Sequence, residues 1–263
     1  MHQLTDIGVN LTDKRFNKDL DDVIARSFEH GIQRLIITGT SLDRSERALE
    51  LCQQFPQQLY CTVGVHPHDA KSYTAAHFAE LKQMSEQSCV VAIGETGLDF
   101  NRNFSEPEQQ KHAFEQQLEL AAETKLPLFL HERDAHQTQT EMLHSTRDHI
   151  RGGVAHCFTG TKQELYNYLD LDLYIGITGW ICDERRGQDL LALTKDIPAD
   201  RLLIETDAPY LTPRDLRPKP KGGRNEPCFL PHILNTIAEQ RQVDPAELAS
   251  ITEANVDRLF FNA

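Results

Sequence analysis

Eight short runs of β-branched and aliphatic residues recur along this chain, separated by stretches whose apolar residues fall on one face of a helix. The runs are Thr5–Asn10, Arg34–Thr38, Leu59–Val65, Val90–Gly94, Leu128–His131, Gly153–His156, Leu173–Thr178 and Leu202–Glu205. Runs this short and this apolar suit strands covered on both faces, as in a parallel sheet. After the first, Leu20, Val23, Ile24, Ser27 and Phe28 line one helical face, and Gly31 ends it. Ser105 with Glu108, Thr161 with Glu164, and Asp244-Pro245 with Glu247 have the spacing of helix starts. Such alternation predicts successive βα units. Eight units close most economically into a TIM-like (β/α)8 barrel, although an open doubly wound sheet uses the same local pattern.

The length of 263 residues suits one such barrel, so residues 1–263 read as a single domain. No repeat, low-complexity tract or Ser/Gly linker divides them. The irregular segment is Pro209–Pro231, rich in Pro, Gly and basic residues, and long ordered loops usually carry function. With 39% hydrophobic and 25% charged residues, the chain can bury a core without metals or disulfides. It shows no leader pattern and no apolar run long enough to span a bilayer, which predicts a cytoplasmic protein without membrane contact. With no evident apolar surface segment, it reads as a monomer. Cys52, Cys61, Cys89, Cys157, Cys182 and Cys228 are scattered and read as reduced, mostly buried small hydrophobes. A net charge of −13 argues against coating nucleic acid, but leaves room for gripping a few phosphates.

Polar residues cluster where these runs end. His66 follows the third, Glu95 the fourth, His131 closes the fifth, His156 the sixth, and Asp207 follows the eighth. In a barrel these ends meet at one mouth, so residues distant in sequence become neighbours. One His at a strand end is more often a hydrogen-bonded structural residue. Five imidazoles and carboxylates together point to a shared divalent-metal site.

Several segments together resemble the TatD-type metal-dependent deoxyribonucleases: Gly64-Val65-His66-Pro67-His68, Gly94-Glu95-Thr96-Gly97-Leu98-Asp99, Leu130-His131-Glu132-Arg133, His156-Cys157-Phe158-Thr159-Gly160, Glu205-Thr206-Asp207-Ala208-Pro209-Tyr210-Leu211 and Arg224-Asn225-Glu226-Pro227. They span most of the chain in order. The resemblance implies a barrel of the metal-dependent hydrolase type with one or two divalent cations. Glu95 would be the bridging carboxylate and His131, His156 and Asp207 further ligands, with Asp207 also taking the proton from the attacking water. It further implies exonuclease action from a free 3′ end on single-stranded DNA or RNA, with DNA repair as a process it could serve. One departure stands out. Where many relatives carry His-x-His after the first strand, this chain reads Gly8-Val9-Asn10. Asn10 could equally cap the strand-one loop or touch metal and is left out of the ligand set, and the oxygen-richer site favours Mg²⁺, or Mn²⁺, over Zn²⁺.

A cation held by Glu95, His131 and His156 could polarise a phosphoryl oxygen and activate water for in-line attack. His66 is the candidate for binding phosphate or protonating the leaving oxygen. Arg102, Arg133, Arg185, Arg186, Arg214, Arg217, Lys219, Lys221 and Arg224 follow strands four, five, seven or eight and would form a basic rim, with Arg133 and Arg224 as substrate contacts. Phe100, Phe104, Trp180 and Tyr210 could stack unpaired bases. Two other readings remain. One is an amidohydrolase-like enzyme acting on a small amide, lactone or ring amine; the other is a barrel that binds nucleic acid without turnover.

Overall fold

The computed structural model describes residues 2–262; Met1 and Ala263, and the side chain of Lys221, lie outside the described ones. Each predicted run overlaps a strand: β1 Leu4–Val9, β2 Ile32–Ile37, β3 Leu59–Val63, β4 Val90–Asp99, β5 Leu128–Arg133, β6 Gly153–Ala155, β7 Tyr174–Ile177 and β8 Leu202–Ile204. All pair in parallel and in sequence order. The strands alternate with α1 Leu20–Glu29, α2 Leu42–Gln54, α3 Ala75–Ser85, α4 Pro107–Thr124, α5 His136–Thr146, α6 Lys162–Asp170, α7 Gln188–Leu193 and α8 Leu230–Arg241, and α9 Pro245–Val256 follows α8. No helix among the described residues is long and apolar enough to cross a membrane.

Thr161 and Glu164 form the predicted capping box of α6, and Asp244 caps α9 by accepting from the Ala246 N–H. The α4 start differs. Its box is Glu106 with Gln109, because the Ser105 hydroxyl is spent bonding the His68 carbonyl and the Lys71 N–H.

The strands form a nearly closed barrel. Its seam between β1 and β8 is held just beyond the regular ladder: the Asp207 N–H donates to Gly8 O at 2.9 Å and the Asn10 N–H to Ala208 O at 2.7 Å. The Asp6 carboxylate also spans the seam, accepting from the Thr206 N–H at 2.9 Å, the Thr206 hydroxyl and the Gly8 N–H.

Burial pushes the Asp6 carboxyl up to about 7, against the pull of the hydrogen bonds from Thr206 and Gly8. This folded value lies above the ordinary 3.8, so the native state holds the proton more tightly than the unfolded chain does. Stability from this group is therefore full below about pH 4 and falls as pH rises toward 7, by up to roughly 4 kcal/mol. Asp6→Asn, which mimics the protonated form, should flatten that slope. Urea midpoints at about pH 5 and about pH 8 check this, and parallel behaviour of the two proteins would refute it.

Strand periodicity sorts side chains between two apolar clusters. Leu35, Ile37, Leu128, Leu130, Ile175, Leu202 and Ile204 face the helices. Ile7, Ile36, Phe129, Val154, Tyr174 and Leu203 form a separate cluster inside the ring of strands. Val256, Leu259 and Phe260, from α9 and the turn after it, close that interior at the N-terminal ends of the strands. There Glu253 accepts from the side chains of Thr5, Gln33 and Arg34, and Arg34 also pairs with Asp257. One end of the barrel is thus plugged, which leaves the other as the open mouth.

The largest departure from the predicted elements is β4, which continues to Asp99 instead of stopping at Gly94. Thr96 to Asp99 pair with Leu130 to Arg133, and Glu95 is the extra residue of a bulge between Gly94↔Phe129 and Thr96↔Leu130. Polar residues and two glycines hide a strand from an apolar-run search.

Candidate metal centre

Period two along the inward face leads directly to the site. Two residues beyond Phe129, Val154 and Leu203 stand His131, His156 and Glu205, so the apolar interior gives way to imidazole and carboxylate at the mouth. Glu95 arrives by its bulge. At Gly94, φ is +142° and a Cβ would lie 2.3 Å from Phe129 O, so only glycine lets β4 turn there. The Glu95 N–H bonds Gly39 O at 2.6 Å, tying the bulge to the chain after β2. Asp207 sits in a left-handed conformation, φ 54°, pinned by its own bond to Gly8 O.

Glu95 Oε1 is the hub. It lies 2.9 Å from His131 Nδ1, 3.3 Å from His66 Nε2 and 3.7 Å from His156 Nε2. Asp207 Oδ1 accepts from the Asn10 amide at 2.9 Å. Asn10 therefore orients this carboxylate through its side-chain amide. All four predicted ligands and His66 line one cavity of about 570 Å³. His66 stands beside Glu95, and its Nδ1 accepts the His68 N–H at 3.1 Å.

Carboxylates and imidazoles face one another here at short range. Burial opposes a charge on Glu95, but His66, His131 and His156 hold its carboxyl well below the usual range. Burial also opposes a charge on the imidazoles. Asp99 and Glu95 nevertheless push His131 up to about 9, and Glu205, Glu95 and Asp207 push His156 up to about 10. Burial, reinforced by Glu95 and Glu205, pushes Asp207 up to about 7. Burial pushes His66 down. His131 Nε2 is buried without a hydrogen-bond partner among the described residues. Ligand atoms of His66, Glu95 and His131, and of His156, Cys157 and Asp207, lie within 4.8 Å of one another in two groups. An orphaned imidazole nitrogen among converging carboxylates fits a divalent cation, which would take the place of the imidazole protons.

Glu205, Asp99 and His68 carry no role in the motif reading. Glu205, fully buried, accepts from His156 Nδ1 and from the Cys157 N–H, both at 2.6 Å. It leaves His156 Nε2 facing the site, the usual arrangement of a carboxylate behind a ligating imidazole. A Cβ on Gly8 would come within 2.3 Å of Glu205 Oε2, so Glu205 fills the space beside the end of β1 that a side chain at Gly8 would need. Asp99 pairs with His68 at 2.6 Å and stands 3.6 Å from His131 Nε2. For Glu205, which closes the predicted eighth run, position was the available signal; Asp99 lies beyond the predicted end of β4 and offered none. We expect Glu205→Gln to weaken divalent-cation affinity about 10- to 100-fold, because an amide cannot accept from both donors. Titration calorimetry checks this, and unchanged affinity would mean that His156 is oriented by other contacts.

The basic rim is thinner than the sequence implies. The Arg224 guanidinium is spent on Asp19, Glu226 and Arg15 O, which clips the segment after β8 to the start of α1; it does not line the cavity. Arg185 and Arg186 bind Asp183, and Arg214 binds Glu184. Arg217 donates to the Arg214 and Leu216 carbonyls, and Lys219 is exposed. Arg133 does line the cavity and, among the described residues, has no ion-pair partner. Arg44, in the first turn of α2, lines it too and follows β2 just as the rim residues follow later strands. Of the aromatics, Trp180 and Tyr210 line the cavity, each with a guanidinium on one face, from Arg186 at 4.5 Å and Arg15 at 4.1 Å. Phe104 is exposed beside His68, and Phe100 packs against the outer core.

A family model of TatD-related DNases matches residues 5–261. The 3′-5′ ssDNA/RNA exonuclease TatD of Cronobacter sakazakii is 53% identical over 255 residues, 97% of each chain. Its counterpart in Salmonella typhimurium is 52% identical, over 97% of this chain and 98% of that one. Among solved structures, a hydrolase of the TatD family from Entamoeba histolytica superposes with a TM-score of 0.90 at 28% identity, over 100% of this chain and 99% of the other. The TatD homolog YjjV from Escherichia coli superposes at 0.89 and 27%, over 99% and 98%.

Proposed function

Because the chain belongs to the family of TatD-related DNases, we propose that its barrel mouth hydrolyses phosphodiester bonds from the 3′ end of single-stranded DNA and RNA. The convergence of Glu95, His131, His156 and Asp207 around one cavity carries this reading. The names of relatives at 52–54% identity support the substrate and the direction.

Glu95, His131, His156 and Asp207 would hold the cation, with Glu205 and Asn10 fixing the orientation of His156 and Asp207. Mg²⁺ or Mn²⁺ suits this set better than Zn²⁺, since Gly8 and Asn10 supply no imidazole. When bound, the cation supplies Lewis-acid polarisation of a phosphoryl oxygen and acidifies a nearby water. Asp207, on the cavity wall, takes the proton from the attacking water. His66 binds a non-bridging oxygen by donating from Nε2 in the neutral form that burial favours; passing a proton to the leaving oxygen would require its imidazolium form. Arg133 and Arg44 hold the adjoining phosphates, and Trp180 offers a face to an unpaired base. So few available cations on a chain of net charge −13 suit gripping a strand end better than coating a polymer. The chain is read as one barrel domain that works as a monomer in the cytoplasm; its cysteines are all free.

End-labelled single-stranded oligonucleotide incubated with Mg²⁺ should be shortened from its 3′ end, and EDTA should abolish the reaction. Label position reports direction. Undiminished cleavage in EDTA, or inertness toward DNA and RNA alike, would overturn the assignment.

A further inference from the structure

Outside the mouth, three residues from three segments bring metal-ligating atoms together. Cys182 ends the 3₁₀ turn Gly179–Cys182 after β7, Asp215 lies in the long segment after β8, and His232 stands in the first turn of α8. Their ligand atoms all lie within 4.8 Å of one another, and His232 Nε2 is 2.7 Å from Asp215 Oδ1. We propose that Cys182, Asp215 and His232 form a second metal site, which takes a borderline cation of the Zn²⁺ type and pins the segment after β8 to the barrel wall.

Donor chemistry is the first argument. One thiolate, one imidazole and one carboxylate make the mixed set that a borderline cation prefers, whereas the oxygen-rich mouth suits a hard one. Spacing is the second. Tetrahedral ligands at zinc distances stand about 3.3–3.8 Å apart, which falls between the 2.7 Å His232–Asp215 pair and the 4.8 Å limit within which all three ligand atoms lie. Access is the third. Cys182 is buried, but Asp215 is about half exposed and His232 partly so, which leaves an entry path and room for water as the fourth ligand.

The Cys182 thiol contacts Thr236 Oγ1 at 3.7 Å, and burial pushes it up to about 12. Since the Thr236 hydroxyl donates to His232 O, the thiol hydrogen points at Thr236. On ligation that proton leaves to solvent as the sulfur turns to the cation. The segment so pinned runs from Asp207, Tyr210 and Leu211, all on the cavity wall, to α8. Occupancy of the second site would thereby hold one wall of the mouth, without touching substrate.

Co²⁺ titrated into the Mg²⁺-loaded protein should add one equivalent and a thiolate-to-cobalt charge-transfer band, and Zn²⁺ should displace it. Cys182→Ser should abolish the band, and Asp215→Asn, at an exposed position that leaves folding intact, should weaken Co²⁺ binding about tenfold or more. Cys157→Ser, at the mouth, should leave the band in place. Absence of the band from the wild type, its survival in Cys182→Ser or its loss only in Cys157→Ser would each overturn the site. Zn²⁺ should also slow proteolysis between residues 211 and 224 in the wild type but not in Asp215→Asn; equal rates would overturn the pinning. None of these readouts depends on nuclease activity.

Discussion

Glu95→Gln is expected to lower nuclease turnover about a thousandfold or more at saturating Mg²⁺, while the protein still folds. Glu95 Oε1 faces His131, His66 and His156, so one side chain sets the charge balance of the whole centre. Glutamine keeps the volume and one acceptor but removes the negative charge that a cation requires. A thousandfold loss corresponds to about 4 kcal/mol of transition-state stabilisation, in the range for losing an electrostatic contact made in a water-poor site. Steady-state cleavage of a labelled oligonucleotide measures it, with circular dichroism and a urea midpoint as folding controls. Activity within tenfold of wild type would displace Glu95 from the centre, whatever the enzyme's function.

Asp207→Asn is expected to cost about a hundred- to ten-thousandfold, chiefly in kcat, as for the loss of a general base. The change is isosteric, and the side-chain oxygen can still accept from Asn10, so the loop after β8 keeps its place. Varying the metal concentration separates the two duties assigned to this carboxylate. A kcat deficit that persists at saturating metal identifies the proton acceptor; full recovery at high metal would make Asp207 a ligand alone. Nearly wild-type kinetics at all metal concentrations would remove it from both roles.

His131 and His156 were legible because a strand's period of two runs unbroken from the apolar interior to the mouth, so that a polar residue at a strand end has a defined direction. Glu95 was legible as an acid after an apolar run, but its place at the hub was not, because a bulge and a left-handed glycine aim it there. Glu205 and Asp99 belong to the same motifs, yet their duties depend on His156 and His68, residues 49 and 31 positions away along the chain. The ion pairs of Arg224 were hidden for a similar reason. A guanidinium on a loop near the mouth reads as a phosphate contact until Asp19 and Glu226 are found to have claimed it.

By itself, the sequence determined the eight alternating strand and helix segments and pointed to the strand ends where imidazoles and carboxylates gather, because hydrophobic period and strand-end position act over a few residues; that the strands pair in order into a barrel instead of an open sheet was decided by the fold. Which imidazole each carboxylate orients, which arginines keep their charge for a substrate and where Cys182, Asp215 and His232 meet were decided only by the tertiary structure. Hydrogen bonds and ion pairs act over about 3–4 Å, and only chain closure brings such groups that close.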